Sequence, residues 1–561
     1  MRDERERAQD DPGEDDETHA RGTPREEKRG AFRGYRGAPM LCRWICLALT
    51  VLLALATPAF AGASAEPDPI AKLAQKLHRL RRGELRFERK VAEDLSGLVS
   101  DARLIWAVEP AREKDVARVL LDVAGAFADA DPKQGDDQAA AAGLRDAAIE
   151  ALSAHVDSAF ATWLAREIVP APNQPFERRL AAVRLLKDQT QPAVKLALLS
   201  ATQEKEPRIR RAVLTNLAGW YDPAVHAIFL RELQREIAGE PGAEGAIAEA
   251  HFAQVSSDPE KRFLPELEPI VKGGLIASDW RVAVRAVVLS RPFANDAILP
   301  HLIEAMTLWK VRGARFGHAL RMQLEIEREL RQRSGRSFGL DPDLWRKWYA
   351  AMRRGELPST GGFAAGVPSE RTKASFFGLK PASDRIVFVL DRSKSMEIGF
   401  GPAGTGGAIG RRWDEAVKQL MGYVEAIGAE SRFDVVLFHD FGEAWRGGDL
   451  VPADSANQAK LREWLEVQIP NGGTALRLGV ETALHIDARA GLQLHKIEAD
   501  TVVLLCDGDT NEGANWVARF LQETNAVARI VFYGVQIGGK GDGTLQKLAE
   551  GSGGEFVQIA G

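Results

Sequence analysis

Three short stretches of this chain carry side-chain oxygens at spacings that can hold a hard cation. The first is Asp391-Arg-Ser-Lys-Ser395, in which Asp391, Ser393 and Ser395 alternate directly after the apolar run Ile386 to Leu390. The second is Asn471-Gly-Gly-Thr474, and the third is Asp507-Gly-Asp-Thr-Asn511, which follows the apolar run Val502 to Leu505. Carboxylate and hydroxyl oxygens with no imidazole among them suit Mg²⁺, Mn²⁺ or Ca²⁺ rather than Zn²⁺ or copper. Gly472, Gly473 and Gly508 let the backbone turn tightly where loops must approach one ion. Each stretch alone reads equally well as a strand running into a polar turn. The case rests on whether the fold brings them together.

The elements around them answer that question. Ile386 to Leu390, Phe433 to Phe438, Thr501 to Cys506 and Arg529 to Gln536 read as buried strands, with a further short one at Glu555 to Ile559. Amphipathic helices are expected between them, at Arg412 to Ala426, Ala459 to Val467, Ala475 to His485, Asn515 to Glu523 and Thr544 to Glu550. Strands alternating with helices imply an α/β doubly wound, Rossmann-like sheet, mostly parallel, with helices on both faces. In such sheets ligands bind at the carboxyl ends of the strands. All three oxygen-rich stretches fall there.

With D-x-S-x-S after the first strand, a Thr in a G-G-T turn and an Asp opening a D-G turn, residues Asp384 to Gly561 resemble a von Willebrand factor type A (VWA) domain. The resemblance implies a metal-ion-dependent adhesion site (MIDAS) in which Ser393, Ser395 and Thr474 supply hydroxyl ligands. Asp391 and Asp507 would bind directly or through water, and a sixth position would await a carboxylate from a protein partner. Mg²⁺ is the expected cation, with Mn²⁺ or Ca²⁺ as alternatives. Asp509 and Asn511 are further candidates, although a solvated turn explains them equally well. The run DGDTNEG is not an EF-hand, since Glu512 stands at the turn glycine and Ala518 at the bidentate Glu. The insert Gly399 to Gly410 could flank the site as a lip, and it lacks the Lys-Ser/Thr ending of a phosphate loop. Nothing after Ile559 matches the last helix of such domains, so a piston-like relay through that helix is not expected.

Upstream, residues 66–354 are rich in Ala, Leu, Arg and Glu, with apolar positions recurring at helical spacing. Arg145 to Leu152, Arg179 to Leu186, Arg210 to Leu217 and Arg281 to Val288 share an Arg, an Ala two positions later and an aliphatic end. Their starts fall at roughly one, one and two lengths of a repeat of about 30 to 47 residues. Second helices are expected at Ala193 to Ser200, Pro223 to Ile237 and Ala297 to Trp309. The pattern resembles a HEAT-like α-solenoid, in which each helix pair buries its stripe against its neighbours. An irregular helical bundle is the alternative. Leu330 to Tyr349 closes the region, with helix-ending Gly335 and Gly339, a new start at Asp341-Pro342, and Trp345, Trp348 and Tyr349 at helical spacing. This segment resembles terminal motifs that follow HEAT-like repeats in exported bacterial proteins. Residues 355–383 read as a linker and a lead-in strand, the Gly-, Pro- and Ser-rich Leu357 to Glu370 being the linker proper.

At 561 residues the chain is multidomain, and its 45% hydrophobic and 27% charged composition is that of globular protein. A net charge of -5 gives no case for nucleic acid or for an anionic membrane surface. Residues 1–39 are about half charged and read as disordered. Residues 40–65 have the layout of a signal peptide: Arg43, the apolar run Trp44 to Ala56, then small residues permitting cleavage after Ala61 or Ala65. An uncleaved anchor is the alternative, and the only expected route to a membrane. Because such signals open a chain, translation is expected to start at Met40, which would leave 1–39 untranslated. Of three cysteines, Cys42 and Cys46 lie in the signal, so the exported chain keeps only Cys506, read as a buried small hydrophobe.

These readings lead to an exported, non-enzymatic protein, periplasmic, secreted or at the cell surface. It would bind an acidic residue of a protein partner through its cation, as an adhesion or scaffold module. A metal-dependent hydrolase on the same kind of sheet is the alternative, but phosphatases of the haloacid dehalogenase type need a second Asp where this chain has Ser393. A purely structural module is the third.

Overall fold

The computed structural model describes residues 68–560, apart from 129, 131–135, 240, 258–261, 314–317, 357–373, 402–409, 488–490 and 540. The segments read as disordered and as an export signal, and the linker proper, lie outside the described residues. Among the described residues no helix is long and apolar enough to cross a membrane.

Residues 69–353 form helices joined by short turns. Their starts are written locally. Asp68, Asp222 and Asp341 cap the helices Pro69–Arg81, Pro223–Ile237 and Pro342–Arg353, each accepting a backbone N–H in the first turn. In each case proline takes the first helical position, where its missing N–H has no intrahelical partner to lose. The four repeated segments fall in the helices Asp136–Ser153, Phe176–Leu185, Pro207–Leu217 and Trp280–Leu289. Their shared alanines pack into the core, Ala181 and Ala283 buried and Ala147 and Ala212 partly so. One continuous apolar core runs from Ile70 to Trp348. Gly335, in the left-handed region at φ 66°, ends the helix Ala319–Ser334 as expected. Trp345 and Trp348 then close the array edge to face, with Trp345 Nε1 donating to the Gly339 carbonyl at 2.9 Å.

The expected lead-in strand does not form in the described part of 355–383. Phe377 and Gly378 both take positive φ, 49° and 88°, so the chain folds back and only Phe376 and Leu379 pair, as a single antiparallel bridge.

Beyond it lies a seven-stranded mixed sheet. We number its strands β1 (Arg385–Asp391), β2 (Arg432–Phe438), β3 (Gly442–Ala444), β4 (Val451–Pro452), β5 (Thr501–Cys506), β6 (Val531–Ile537) and β7 (Phe556–Ile559). The order is β7-β6-β5-β1-β2-β3, with β4 also on β2; β1, β2, β5, β6 and β7 are parallel, and β3 and β4 antiparallel. Strand alternation divides the interior. Phe388, Leu390, Val435, Leu437, Val503 and Leu505 face the helices Arg412–Ala426 and Ser455–Glu466. Val387, Val389, Val436, Phe438, Val502 and Leu504 face Leu476–Ala483, Asn515–Arg519 and Thr544–Ser552. The doubly wound expectation therefore holds. The edge strands β3 and β4, too short to show a period, escaped the sequence pattern.

Three expected elements shift, the first being the helix expected from Ala459, which starts at Ser455 under an Asp454 cap. The strand expected from Arg529 starts at Val531 because Arg529 stands in the left-handed region at φ 62°. The Asn525 side chain holds that turn, accepting from Ile530 N and donating to Ile530 O, both at 2.9 Å. The helix expected over 515–523 breaks after Arg519 into a π-turn, Phe520–Asn525.

The helical region meets the sheet at its amino-terminal edge through buried polar contacts. Arg281 donates from Nη2 to the Ile497 carbonyl at 3.0 Å and from Nε to the Ala528 carbonyl at 3.3 Å. Glu249 is shared between Arg285 and Arg529, and Arg285 also pairs with Glu236. His318 contacts the Glu498 carbonyl at 2.9 Å. Burial, with Arg385 and Arg281 nearby, pushes His318 down to about 3, so its ring is neutral and Nε2 is the donor. Residues 494–500 precede β5 and 526–529 precede β6, so among the described residues this docking is on the edge opposite the carboxyl ends of the strands.

Candidate metal centre

Strands β1 and β5 are neighbours, while the chain passes from β1 to β2 on the other side. The crevice at their carboxyl ends is thus the point where strand order reverses. β1 delivers Asp391 there, fully buried and level with Phe438 at the end of β2. Asp391 Oδ1 accepts the Ser393 N–H at 2.7 Å, which turns the chain so that Ser393 and Ser395 follow on the same side. Their hydroxyls lie 2.9 Å apart. Ser395 Oγ then donates to Asp507 Oδ1 at 2.8 Å, directly beyond β5. Four of the five expected residues are therefore joined through Ser and Asp oxygens.

Thr474 reaches the same edge by its backbone. Its N–H donates to Asn511 Oδ1 at 3.2 Å, and Asn511 N–H returns to the Thr474 carbonyl at 3.0 Å. Asn511 thus stitches the second loop to the third, whereas Asp509 is exposed. The second loop is also tied to the first, with Asn471 N donating to the Arg392 carbonyl at 2.8 Å and Lys394 N to the Gly472 carbonyl at 3.3 Å. Gly472 is required here. It sits at φ 75°, and a Cβ would lie 2.5 Å from Asp440 Oδ2 and 2.7 Å from His439 Nδ1.

Several participants were not legible in sequence. Cys506, fully buried, directs its thiol at Asp391 Oδ2, 3.2 Å away, and burial raises it so far that it stays a thiol and donates. Arg412, opening the helix Arg412–Ala426, donates to Asp507 Oδ2 at 2.7 Å. Asp542 accepts from both Thr510 N and Thr510 Oγ1, at 3.0 and 2.6 Å, and so anchors the third loop from behind. Asp440 accepts the Gly473 N–H at 2.9 Å and steadies the second. His439 lies beneath it, buried and edge to face with Phe441. The insert Gly399 to Gly410 pairs at its ends as a two-residue ribbon, Gly399–Phe400 with Gly410–Arg411, and its middle lies outside the described residues.

Burial pushes the Asp391 carboxyl up to about 6, and the charge of Asp507 adds to the rise. A site holding two adjacent buried carboxylates favours a cation over either charge alone. Its donors are carboxylate and hydroxyl oxygens, which fit a hard divalent ion. No group of three His, Cys, Asp or Glu side chains that could by itself hold a metal ion occurs among the described residues, so the hydroxyls would be needed to complete a coordination shell.

Comparison with protein-family models and with curated proteins finds no match. Among solved structures the chain is similar to a von Willebrand factor type A protein from Catenulispora acidiphila, at 22% identity over 33% of this chain and 40% of that one, with a TM-score of 0.23. It is also similar to proximal thread matrix protein 1 from the mussel byssus, at 20% identity over 31% and 41% of the two chains, TM-score 0.22. The same mussel protein with a zinc-occupied MIDAS motif matches at 21% identity, over 31% and 41%, TM-score 0.22. This chain thus spans about two fifths of the length of those proteins.

Proposed function

We propose that this chain is an exported binding protein. In this reading a VWA-like domain carried on a HEAT-like helical array captures a carboxylate of a protein partner through a divalent cation, Mg²⁺ first. Asp391, Ser393, Ser395, Thr474 and Asp507 would hold the ion. The observation that carries the reading is the hydrogen-bonded series Asp391, Ser393, Ser395, Asp507 at the reversal point of the sheet, with the Thr474 loop stitched onto it. A bound ion would take the place of these internal hydrogen bonds and leave a position open to solvent for an acidic ligand.

Two further features support capture rather than turnover. Ile398, Phe441 and Ile469, on three different loops around this edge, are each more than half exposed, an apolar rim suited to a protein surface. Among the described residues the helical region docks on the far edge of the sheet, away from this rim. The test is pull-down from the exported fraction with the full chain as bait, in Mg²⁺ and in chelator, beside Thr474→Ala. Capture that requires Mg²⁺ and is lost in the variant, with an unchanged circular dichroism spectrum, supports the reading. Equal capture in chelator and by the variant overturns it.

A further inference from the structure

Asp507 has two oxygens with different partners. Oδ1 faces Ser395, and Oδ2 is bound at 2.7 Å by Arg412, on a pair whose side chains are 1% and 13% exposed. The guanidinium occupies a socket built for it. Gly538, just beyond β6, stands at φ 88°, and a Cβ there would lie 2.7 Å from Arg412 Nη2. The Arg412 backbone is fixed as well, its N–H donating to the carbonyl of Ile398, three residues on from Ser395, at 2.9 Å. The Nε–H is buried with no hydrogen-bond partner among the described residues. This seating places the guanidinium directly beside the site.

We propose that Arg412 is a specificity-determining residue that shifts the site's affinity from the cation to the carboxylate of the partner. The assignment rests on the cation-mediated reading above. Asp391 and Asp507 supply two negative charges, and Arg412 cancels one of them. A divalent cation then leaves the centre with one net positive charge, which a partner carboxylate neutralises. Without Arg412 the loaded centre would already be neutral, and an incoming carboxylate would bring an uncompensated negative charge into a buried setting. Arg412 therefore weakens cation binding and strengthens anion capture. The chemistry favours a monoanionic carboxylate as the ligand group, since a dianionic group would overshoot neutrality.

The test uses the full chain as wild type, Arg412→Met, Arg412→Lys and Asp391→Asn, each checked by circular dichroism. Mn²⁺ affinity is measured by calorimetry, and acetate binding to the Mn²⁺-loaded protein by water-proton relaxation. Arg412→Met is expected to bind Mn²⁺ roughly tenfold tighter and acetate roughly tenfold more weakly, with Arg412→Lys close to wild type in both. If wild type binds Mn²⁺ and Asp391→Asn does not, but Arg412→Met binds Mn²⁺ no more tightly than wild type, Arg412 is only a prop for Asp507 and the proposal fails while the cation reading stands. If wild type binds no Mn²⁺, both fail. Should Arg412→Met not fold, an Arg412→Lys protein with tighter Mn²⁺ binding and weaker acetate binding than wild type also overturns the proposal, because it keeps the charge.

Discussion

Glu249 is one of the buried contacts that fasten the helical region to the sheet, and its removal has a calculable effect. Glu249 bridges Arg285 and Arg529, whose side chains are 2% and 16% exposed. Burial pushes both guanidiniums down to about 10, a measure of how much water they have lost. Glu249→Gln preserves volume and removes the charge. Arg285 keeps Glu236, but Arg529, held at positive φ, loses its carboxylate partner. Removing one partner of a buried pair costs about 3 to 5 kcal/mol, and the retained Glu236 places this case near about 3. The assay is urea unfolding of wild type, Glu249→Gln, Arg529→Gln and the double variant, followed by tryptophan fluorescence. A coupling energy of about 1.5 kcal/mol or more is expected from the cycle. A coupling below about 0.5 kcal/mol would refute the argument that this pair fastens the regions together.

Asp391 makes cation binding pH-dependent. Its folded-state pKa is raised to about 6 from 3.8, so the protonated form is favoured and the metal-free fold gains stability as pH falls through 6. Cation affinity moves the opposite way, falling about tenfold per unit below pH 6 because a proton must leave. Mn²⁺-induced thermal stabilisation should therefore be full at pH 7.5 and clearly smaller at pH 5, where affinity is about tenfold lower; a shift of equal size at both would contradict the assignment. Gly472→Ala should destabilise by about 1 to 2 kcal/mol and weaken Mn²⁺ binding, since its φ of 75° and the crowding by Asp440 leave no room for a methyl group; unfolding and calorimetry of the one variant check both. Asp542→Ala removes two hydrogen bonds that anchor Thr510, and a loss of about 1 to 2 kcal/mol is expected by denaturation, with weaker Mn²⁺ binding by calorimetry. Unchanged Mn²⁺ affinity would show that the third loop needs no support from behind.

What the sequence determined by itself is local. Apolar runs such as Ile386 to Leu390 and Val502 to Leu505 specify strands buried on both faces, and Asp-Pro pairs specify helix starts. The alternation of these elements predicts Asp391, Thr474 and Asp507 at one sheet edge; the register puts Asp391 at the end of β1, and Asn511 ties the Thr474 loop to the loop of Asp507. Contacts between residues far apart in the chain, each carrying a side chain with an ordinary local role, form only as the packed layers bring them together. Arg412 reads as one more arginine near a helix start, yet it meets Asp507 across 95 residues. Cys506 reads as a small hydrophobe, and it is one, but its thiol also meets Asp391 across 115 residues. Arg529 reads as the start of a strand, yet it stands at positive φ in a turn held by Asn525 and pairs with Glu249, 280 residues away. Local propensity fixes where a chain turns and which face is apolar. Which charge is buried against which is settled only when the layers close and water leaves.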